Sequence, residues 1–140
     1  MASRAVQGDF FKRARRLSAP APLEIGIQGS IVDVLDRWLS PGWKFTHIPL
    51  GGERPTKTGA LLRRLGTKAG WPDLILLAPS GIAHFLEVKR QGRGRLSEEQ
   101  EAFRDHCLKH GIPWAKVETL EDAVQVLKFW GAVRTKVEVQ

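Results

Sequence analysis

The chain has 140 residues, 42% of them apolar and 26% charged, which is ordinary usage for one globular domain and excludes a disordered or fibrous chain. Its 22 Lys and Arg exceed its 15 Asp and Glu, so the net charge is +7 and we expect a polyanionic partner, with a merely soluble basic domain as the alternative. Because there is a single cysteine, no signal-like start and no apolar run of about 20 residues, we expect a cytoplasmic protein without membrane contact.

The first segment in chain order is a predicted basic arm over residues 1–22. It contains five Lys or Arg against one acid and ends in alternating alanine and proline, which is typical of a stiff linker. An organelle transit peptide has a similar composition and is the alternative. Over residues 24–39, apolar side chains recur at steps of three and four and predict a helix, which Pro41 and Gly42 end.

The middle of the chain is predicted to form most of the sheet. A strand over residues 43–48 leads into a loop over 49–55, and a short helix covers 60–65. Strand-like runs at 73–78 and 82–88 flank turn residues and predict a β-hairpin.

The last third of the chain is predicted to form two helices around a strand. Ser97 and Gln100 match a capping box at the start of a helix that Gly111 ends. A strand follows at 114–117, and a final helix covers 120–130. The predicted order is therefore α-β-α-β-β-α-β-α, an α/β domain.

The hairpin brings two acidic residues together. If its turn is centred on Ser80, Asp73 lies opposite Glu87, with Cβ atoms about 4.5–5.5 Å apart, and the like charges repel. A divalent cation compensates such a pair, and Lys89, on the same face as Glu87, can activate the attacking water and stabilise developing charge. The alternative is an exposed cross-strand Glu-Lys cluster in which Asp73 only forms a turn or cap after Pro72.

A family resemblance supports the metal interpretation. The sequence Gly-Trp-Pro-Asp-Leu at 70–74, followed by Glu-Val-Lys at 87–89, resembles the PD-(D/E)xK signature of metal-dependent nucleases. Segments 24–28, 47–54, 65–70 and 96–100 follow in the order of the VRR-NUC domain, the virus-type replication-repair branch of that superfamily. The resemblance covers residues 23–131, leaves a C-terminal tail at 132–140, and departs from the usual pattern at Leu50 and Trp71. It implies a restriction-endonuclease-like core with a mixed β-sheet flanked by helices.

The resemblance also implies the roles of individual residues, with Mg²⁺ or Mn²⁺ as the cofactor. The implied metal ligands are Glu24, Asp73, Glu87 and the backbone carbonyl of Val88, and the implied catalytic set is Asp73, Glu87, Lys89 and Gln100. Two alternatives remain open, because Glu24 also fits an ordinary acid in the first turn of a helix and Gln100 also fits a simple capping residue.

Basic residues concentrate around the acidic pair, since residues 44–95 hold ten Lys and Arg against three Asp and Glu. We interpret them as contacts to the DNA backbone rather than to bases, and a solvated basic loop is the alternative. The predicted DNA-binding residues are Arg54, Lys57, Arg63, Arg64, Lys68, Arg93 and Arg95. His106 and His110 lie one helical turn apart, but we interpret them as a surface pair rather than as metal ligands.

Small stand-alone members of the resembled family look like four-way (Holliday) junction resolvases of DNA recombination and repair, in a bacterial or phage-infected cell. A junction needs two symmetric cuts, so we expect a homodimer on branched DNA. Alternating Val133, Thr135, Val137 and Val139 are a candidate dimer patch, with a frayed tail as the alternative. A flap or nicking nuclease is the alternative enzyme, and a non-catalytic DNA-binding module is the alternative from another class.

Overall fold

The structure is a computed structural model that describes residues 21–49, 56–92, 94–134, 136, 137 and 139. The helices are α1 (Ala21–Trp38), α2 (Thr56–Arg64), α3 (Glu98–His110) and α4 (Leu120–Trp130). The strands are β1 (Lys44–His47), β2 (Leu74–Leu77), β3 (Ala83–Val88) and β4 (Trp114–Val117). This is the predicted order. Within the described ranges, no helix combines the length and the apolar character that crossing a membrane requires.

The four strands form one mixed sheet in the order β1-β2-β3-β4. The β1–β2 and β2–β3 pairs are antiparallel, whereas β3 and β4 are parallel and are joined by the crossover helix α3. The β2–β3 hairpin closes with a hydrogen bond of 3.0 Å from the N–H of Ala78 to the carbonyl of Ile82. The predicted fold, a mixed sheet flanked by helices, is therefore confirmed.

The main hydrophobic core lies between one face of the sheet and the helices α1 and α4. Alternate residues of β2 and β3 point to this face because side chains alternate along a strand. Each fully buried leucine contributes about 1.5–3 kcal/mol to the stability of the core. The buried side chains of the cluster include Ile31, Leu35, Leu74, Leu76, Leu86, Val88, Val117, Val124 and Leu127.

The opposite face of the sheet packs against α3. Phe85 of β3 meets Phe103 of α3 edge to face at 4.9 Å, and Trp71 contacts both rings at 5.8 and 4.8 Å. Trp71 keeps 42% of its surface exposed, so its packing is partial, while Trp38, Trp43 and Trp130 pack against the main core. Since Glu87 follows Phe85 by two residues, its side chain points to the same face of the sheet.

Two helices begin earlier than the sequence pattern predicts. Helix α1 begins at Ala21, inside the predicted linker, because Pro22 falls in the first turn, where a missing N–H breaks no helical hydrogen bond. Helix α2 begins at Thr56 rather than at residue 60. The four residues 56–59 are polar or glycine, so they carry no apolar periodicity from which a helix could be predicted.

The C-terminal segment folds back onto the chain's own core. Val133 forms an isolated antiparallel bridge with Leu39, and both Val133 and Val137 are buried in the main cluster. Because these two valines pack inside one chain, they are unavailable to pair across a dimer axis, and the dimer patch predicted there is corrected on this ground. Thr135 lies outside the described residues.

Candidate active site

The acidic pair sits where the β2–β3 hairpin opens. The register pairs Leu74 with Leu86 and keeps the spacing expected for a turn centred on Ser80. One step further along the same register, Asp73 faces Glu87. The charge on Asp73 is close enough to act on Glu87, so the two carboxyl groups share one site, as the sequence predicted.

Asp73 is held from two sides. Its carboxylate Oδ2 accepts a hydrogen bond of 2.7 Å from the backbone N–H of Val88. Its main-chain carbonyl accepts one of 2.8 Å from the N–H of Ile48 and lies 2.8 Å from Nδ1 of His47. Both the backbone and the side chain of Asp73 are therefore fixed by neighbouring strands.

A proline shapes the surroundings of the Val88 carbonyl. Phe85 donates its N–H to Pro113, just before β4, and Lys89 donates to Val117 of β4. Val88, which alternates with them, therefore directs its N–H and its carbonyl towards β2. The register places Pro72 opposite Val88, and proline has no N–H to offer to the ladder. The carbonyl of Val88 therefore points towards Asp73 and accepts no hydrogen bond from the backbone of residue 72.

Glu87 is nearly fully buried, with 3% of its surface exposed. Burial and the neighbouring charge of Asp73 raise its pKa to about 8, while the ammonium of Lys89 opposes the shift. Its Oε1 atom accepts a hydrogen bond of 2.9 Å from Nε2 of Gln100 and lies 3.6 Å from Nζ of Lys89. The Gln100 amide and the Lys89 ammonium thus both lie near one oxygen of Glu87, whose carboxyl group is shielded from solvent.

Gln100 forms the capping box of α3 and also contacts Glu87. Its Oε1 accepts from the N–H of Ser97 at 2.9 Å, and its own N–H donates to Oγ of Ser97 at 3.2 Å, which forms a capping box on α3. Its Nε2 at the same time donates to Glu87. The capping box fixes the orientation of the Gln100 amide, so its Nε2 group at the start of α3 donates to Glu87.

Glu24 does not join the acidic pair. Its Oε1 accepts a hydrogen bond of 3.2 Å from the N–H of Arg90, one residue beyond Lys89. Across the described part of the chain, no three His, Cys, Asp or Glu side chains gather closely enough to hold a metal ion. Glu24 thus holds the backbone that follows β3.

The arrangement of Asp73, Glu87 and Val88 fits a divalent cation. Each of two adjacent carboxyl groups disfavours the charged form of the other, and the raised pKa of Glu87 reflects first its burial and second the charge of Asp73. Mg²⁺ is commonly held by one or two carboxylates with water in the remaining positions, so a third acidic side chain is not required. The Val88 carbonyl, directed to the same side, adds a further oxygen of the type that this ion prefers.

The predicted DNA-binding residues fall into two described groups. Arg63 and Arg64 at the end of α2, with Lys68 after it, are exposed, and Arg95 is exposed in the segment that follows β3. Arg54, Arg93 and the side chain of Lys57 lie outside the described residues. His106 and His110 are exposed on α3 with ring centres 4.5 Å apart, as expected for a surface pair.

Hydrogen bonds join the segment that carries Arg95 to the end of β4. Oε2 of Glu118 accepts a hydrogen bond of 3.3 Å from the N–H of Gly92, and Nζ of Lys116 donates to the carbonyl of Gly94 at 3.0 Å. A Cβ atom at Gly94 would contact the carboxylate end of Glu118, so the backbone of Gly94 lies close to that side chain. The basic segment is therefore held against the sheet.

Three residues of the site had no assigned role from the sequence: Gln28, His47 and Glu118. Nδ1 of His47 lies 2.9 Å from the amide nitrogen of Gln28, as well as beside Asp73. A signal was present for Gln28, because it lies four residues after Glu24 and therefore on the same face of α1. His47 and Glu118 act through pairings between strands, which no local pattern shows.

Comparisons with known proteins agree with this geometry. The family model of the VRR-NUC domain matches residues 34–119, more than half of the chain. One similar solved structure, a VRR_NUC domain, is 17% identical with a TM-score of 0.55, and the match covers 77% of this chain and 97% of that one. Another, a VRR_NUC domain protein, is 20% identical with a TM-score of 0.61, and the match covers 76% of this chain and 86% of that one. No curated protein matches the sequence.

Proposed function

The chain belongs to the VRR-NUC family of nuclease domains, and from that premise we propose that it is a Mg²⁺- or Mn²⁺-dependent, structure-specific DNA endonuclease that resolves four-way junctions. The observation that carries the proposal is the placement of Asp73 opposite Glu87, with Lys89 beside them at the end of the hairpin. A fold kept only for binding DNA has no need of a buried acid placed opposite a second acid.

In this mechanism Asp73, Glu87 and the Val88 carbonyl would hold the metal ion. When bound there, such an ion would polarise the phosphate and lower the pKa of a water molecule. Lys89, 3.6 Å from Glu87, presents its ammonium to the attacking water and to the charge that develops on the phosphate. Gln100 keeps Glu87 in one orientation through its hydrogen bond of 2.9 Å, and Glu24 fixes the chain after Lys89.

The DNA backbone binds across the basic residues on both sides of the pair. The exposed cations Arg63, Arg64, Lys68 and Arg95 supply the described part of this surface, and Arg54, Lys57 and Arg93 belong to it by the same charge pattern. The arm at 1–22 adds affinity from outside the nuclease domain at 23–131. Because backbone contacts read no bases, selection rests on DNA shape.

A two-fold homodimer is the form in which the protein resolves a junction. One site serves one scissile phosphate at a time, whereas a junction needs two cuts placed symmetrically about its centre. Sedimentation equilibrium at micromolar concentration should therefore give about twice the chain mass of 15.6 kDa. A monomer that cleaves only flaps or nicks duplexes would favour the other nuclease assignment.

The decisive experiment is a metal-titrated cleavage assay on a four-way junction, a flap and a linear duplex. The wild-type protein should cut the junction only with Mg²⁺ or Mn²⁺. Asp73→Asn, Glu87→Gln and Lys89→Ala should each lose cleavage by at least about a hundredfold while DNA binding persists, because the basic surface is unchanged. Asp36→Asn, which neutralises an exposed acid on α1, is the matched control.

Two results would contradict the proposal. Full cleavage by Asp73→Asn or Glu87→Gln would remove the acidic pair from the chemistry. DNA binding by the wild-type protein without cleavage of any substrate, at any metal concentration, would indicate the non-catalytic binding module instead.

A further inference from the structure

His47 ends β1 and contacts the backbone of a metal-site residue. Its Nδ1 lies 2.8 Å from the main-chain carbonyl oxygen of Asp73 and 2.9 Å from the amide of Gln28 on α1. We propose that His47, supported by Gln28, is a positioning residue that holds Asp73 in its metal-binding place. This inference rests on the proposed nuclease function, since it assigns a further residue to the same site.

The positioning role requires the ring hydrogen of His47 on Nδ1. A carbonyl oxygen only accepts, so a contact of 2.8 Å between it and Nδ1 requires a hydrogen on Nδ1. With the hydrogen on Nδ1, the Gln28 amide, whose nitrogen lies 2.9 Å from that atom, would need its oxygen turned to the ring, because two donors cannot face each other. His47 is thereby held between a helix and the strand end that bears Asp73.

Asp73 needs the contact from His47 because the backbone hydrogen bonding between β2 and β3 stops beside it. Asp73 precedes the first paired residue of β2, and Pro72 before it has no N–H. Among the described residues, two backbone donors and one ring donor contact Asp73: the N–H groups of Ile48 and Val88, and Nδ1 of His47. Of these, only the bond from His47 comes from a side chain, so it can be removed by substitution without changing the backbone.

Helix α1 links His47 to the rest of the site. Gln28 and Glu24 are four residues apart and lie on one face of the helix. Gln28 contacts His47 beside Asp73, whereas Glu24 accepts from the N–H of Arg90 beyond Lys89. One face of α1 therefore contacts the chain beside Asp73 and again just after Lys89. We expect a shift of Asp73 by a fraction of an ångström to lower the cleavage rate rather than the affinity for substrate.

The test compares three variants of the full chain in the cleavage assay. His47→Leu removes the donor, His47→Asn places an amide N–H near the position of Nδ1, and His110→Leu removes an exposed histidine from the far end of α3. We expect kcat to fall about tenfold or more in His47→Leu with KM for DNA changed less than about twofold. His47→Asn should recover most of the rate, and His110→Leu should match the wild type.

A readout that needs no activity accompanies the kinetics. In the metal-free protein, His47→Leu should speed hydrogen exchange at the amides of Ile48 and Val88, which donate to Asp73, by several-fold. The amide of Lys89, which donates to Val117, should keep its wild-type exchange and shows that the sheet is intact.

The outcomes separate the two proposals. If the wild-type protein cleaves DNA and His47→Leu has an unchanged kcat, or only a raised KM, the positioning role is overturned while the nuclease function stands. Failure of His47→Asn to recover any rate would also count against a donated hydrogen bond. If the wild-type protein cleaves nothing, the nuclease proposal fails, and unchanged exchange at Ile48 and Val88 then overturns the structural part on its own.

Discussion

The backbone N–H of Val88 donates to the carboxylate of Asp73 at 2.7 Å, so a side chain takes the place of a strand partner. The replacement occurs where Pro72 enters the register and the β2–β3 ladder stops. The same residue that orients the carboxylate through its N–H thus offers its carbonyl to the same side of the strand. This explains the proline of the motif: residue 72 has no N–H that could compete for the carbonyl of Val88.

Pro72→Ala should weaken metal binding. The new N–H at residue 72 would face the Val88 carbonyl across the register and compete with the ion for that oxygen. We expect the dissociation constant for Mn²⁺, measured by titration calorimetry, to rise several-fold in a folded protein. Pro79→Ala, at the exposed hairpin turn, is the control and should bind Mn²⁺ as the wild type does. Equal affinities in the two variants would leave the Val88 carbonyl without a role as a ligand.

Gly70→Ala should destabilise the protein more than Gly66→Ala. Both glycines have positive φ, of +92° and +100°, so either alanine costs roughly 1–2 kcal/mol in backbone strain. At Gly70 a Cβ would also collide with the backbone of Glu99 on α3, whereas at Gly66 it would meet nothing within 4 Å. The free energy of unfolding from urea titrations should therefore fall by at least about 1 kcal/mol more in Gly70→Ala. Equal losses would contradict this close approach.

Local patterns are sufficient to predict most of the fold. Apolar periodicity, the capping box at Ser97 and the turn residues after Ala78 each act over a few residues, and the elements that they predict are present. The hairpin register follows from its turn centre, which is why the sequence alone is enough to place Asp73 opposite Glu87. Where the apolar pattern is missing, at the start of α2, the predicted helix is too short.

The supporting contacts of the site could not be predicted in the same way. His47 reaches Asp73 because β1 pairs with β2, and Glu118 reaches Gly92 because β4 lies beside β3. Such contacts join residues 26 apart in the sequence. No periodicity connects residues at that separation, so only the assembled sheet shows them.

Glu118→Gln should weaken DNA binding although it removes a negative charge. Glu118 accepts from the N–H of Gly92 and pairs with Lys116 at 3.4 Å, so its carboxylate holds the segment that carries Arg95. Glu121→Gln removes an equal charge from an exposed position on α4 and should strengthen binding slightly through electrostatics. We expect the DNA affinity, measured by fluorescence anisotropy at fixed salt, to fall in Glu118→Gln and to rise in Glu121→Gln. A gain of affinity in both variants would mean that Glu118 does not order the basic segment.

Mild acid should destabilise the protein through His84. This side chain is buried in ring contacts with Trp43 and Trp130 at 4.8 and 5.1 Å, and its Nδ1 lies 3.0 Å from the carbonyl of Ile82. Burial lowers its pKa below the ordinary value of 6.5, so the unfolded chain binds this proton more readily than the folded one.

The stabilisation from neutral His84 is therefore complete above the unfolded pKa of 6.5 and is lost as the pH falls below it towards the folded pKa. Urea unfolding of the metal-free protein should give a lower free energy at about pH 5 than at about pH 7.5. His84→Phe, which keeps a ring but cannot be protonated, should show a smaller loss over this interval, even if it is less stable at both pH values. His110→Phe, at an exposed histidine, serves as the control and should keep more of the wild-type dependence. If His84→Phe lost as much stability as the wild type, the acid sensitivity would have to arise from other groups.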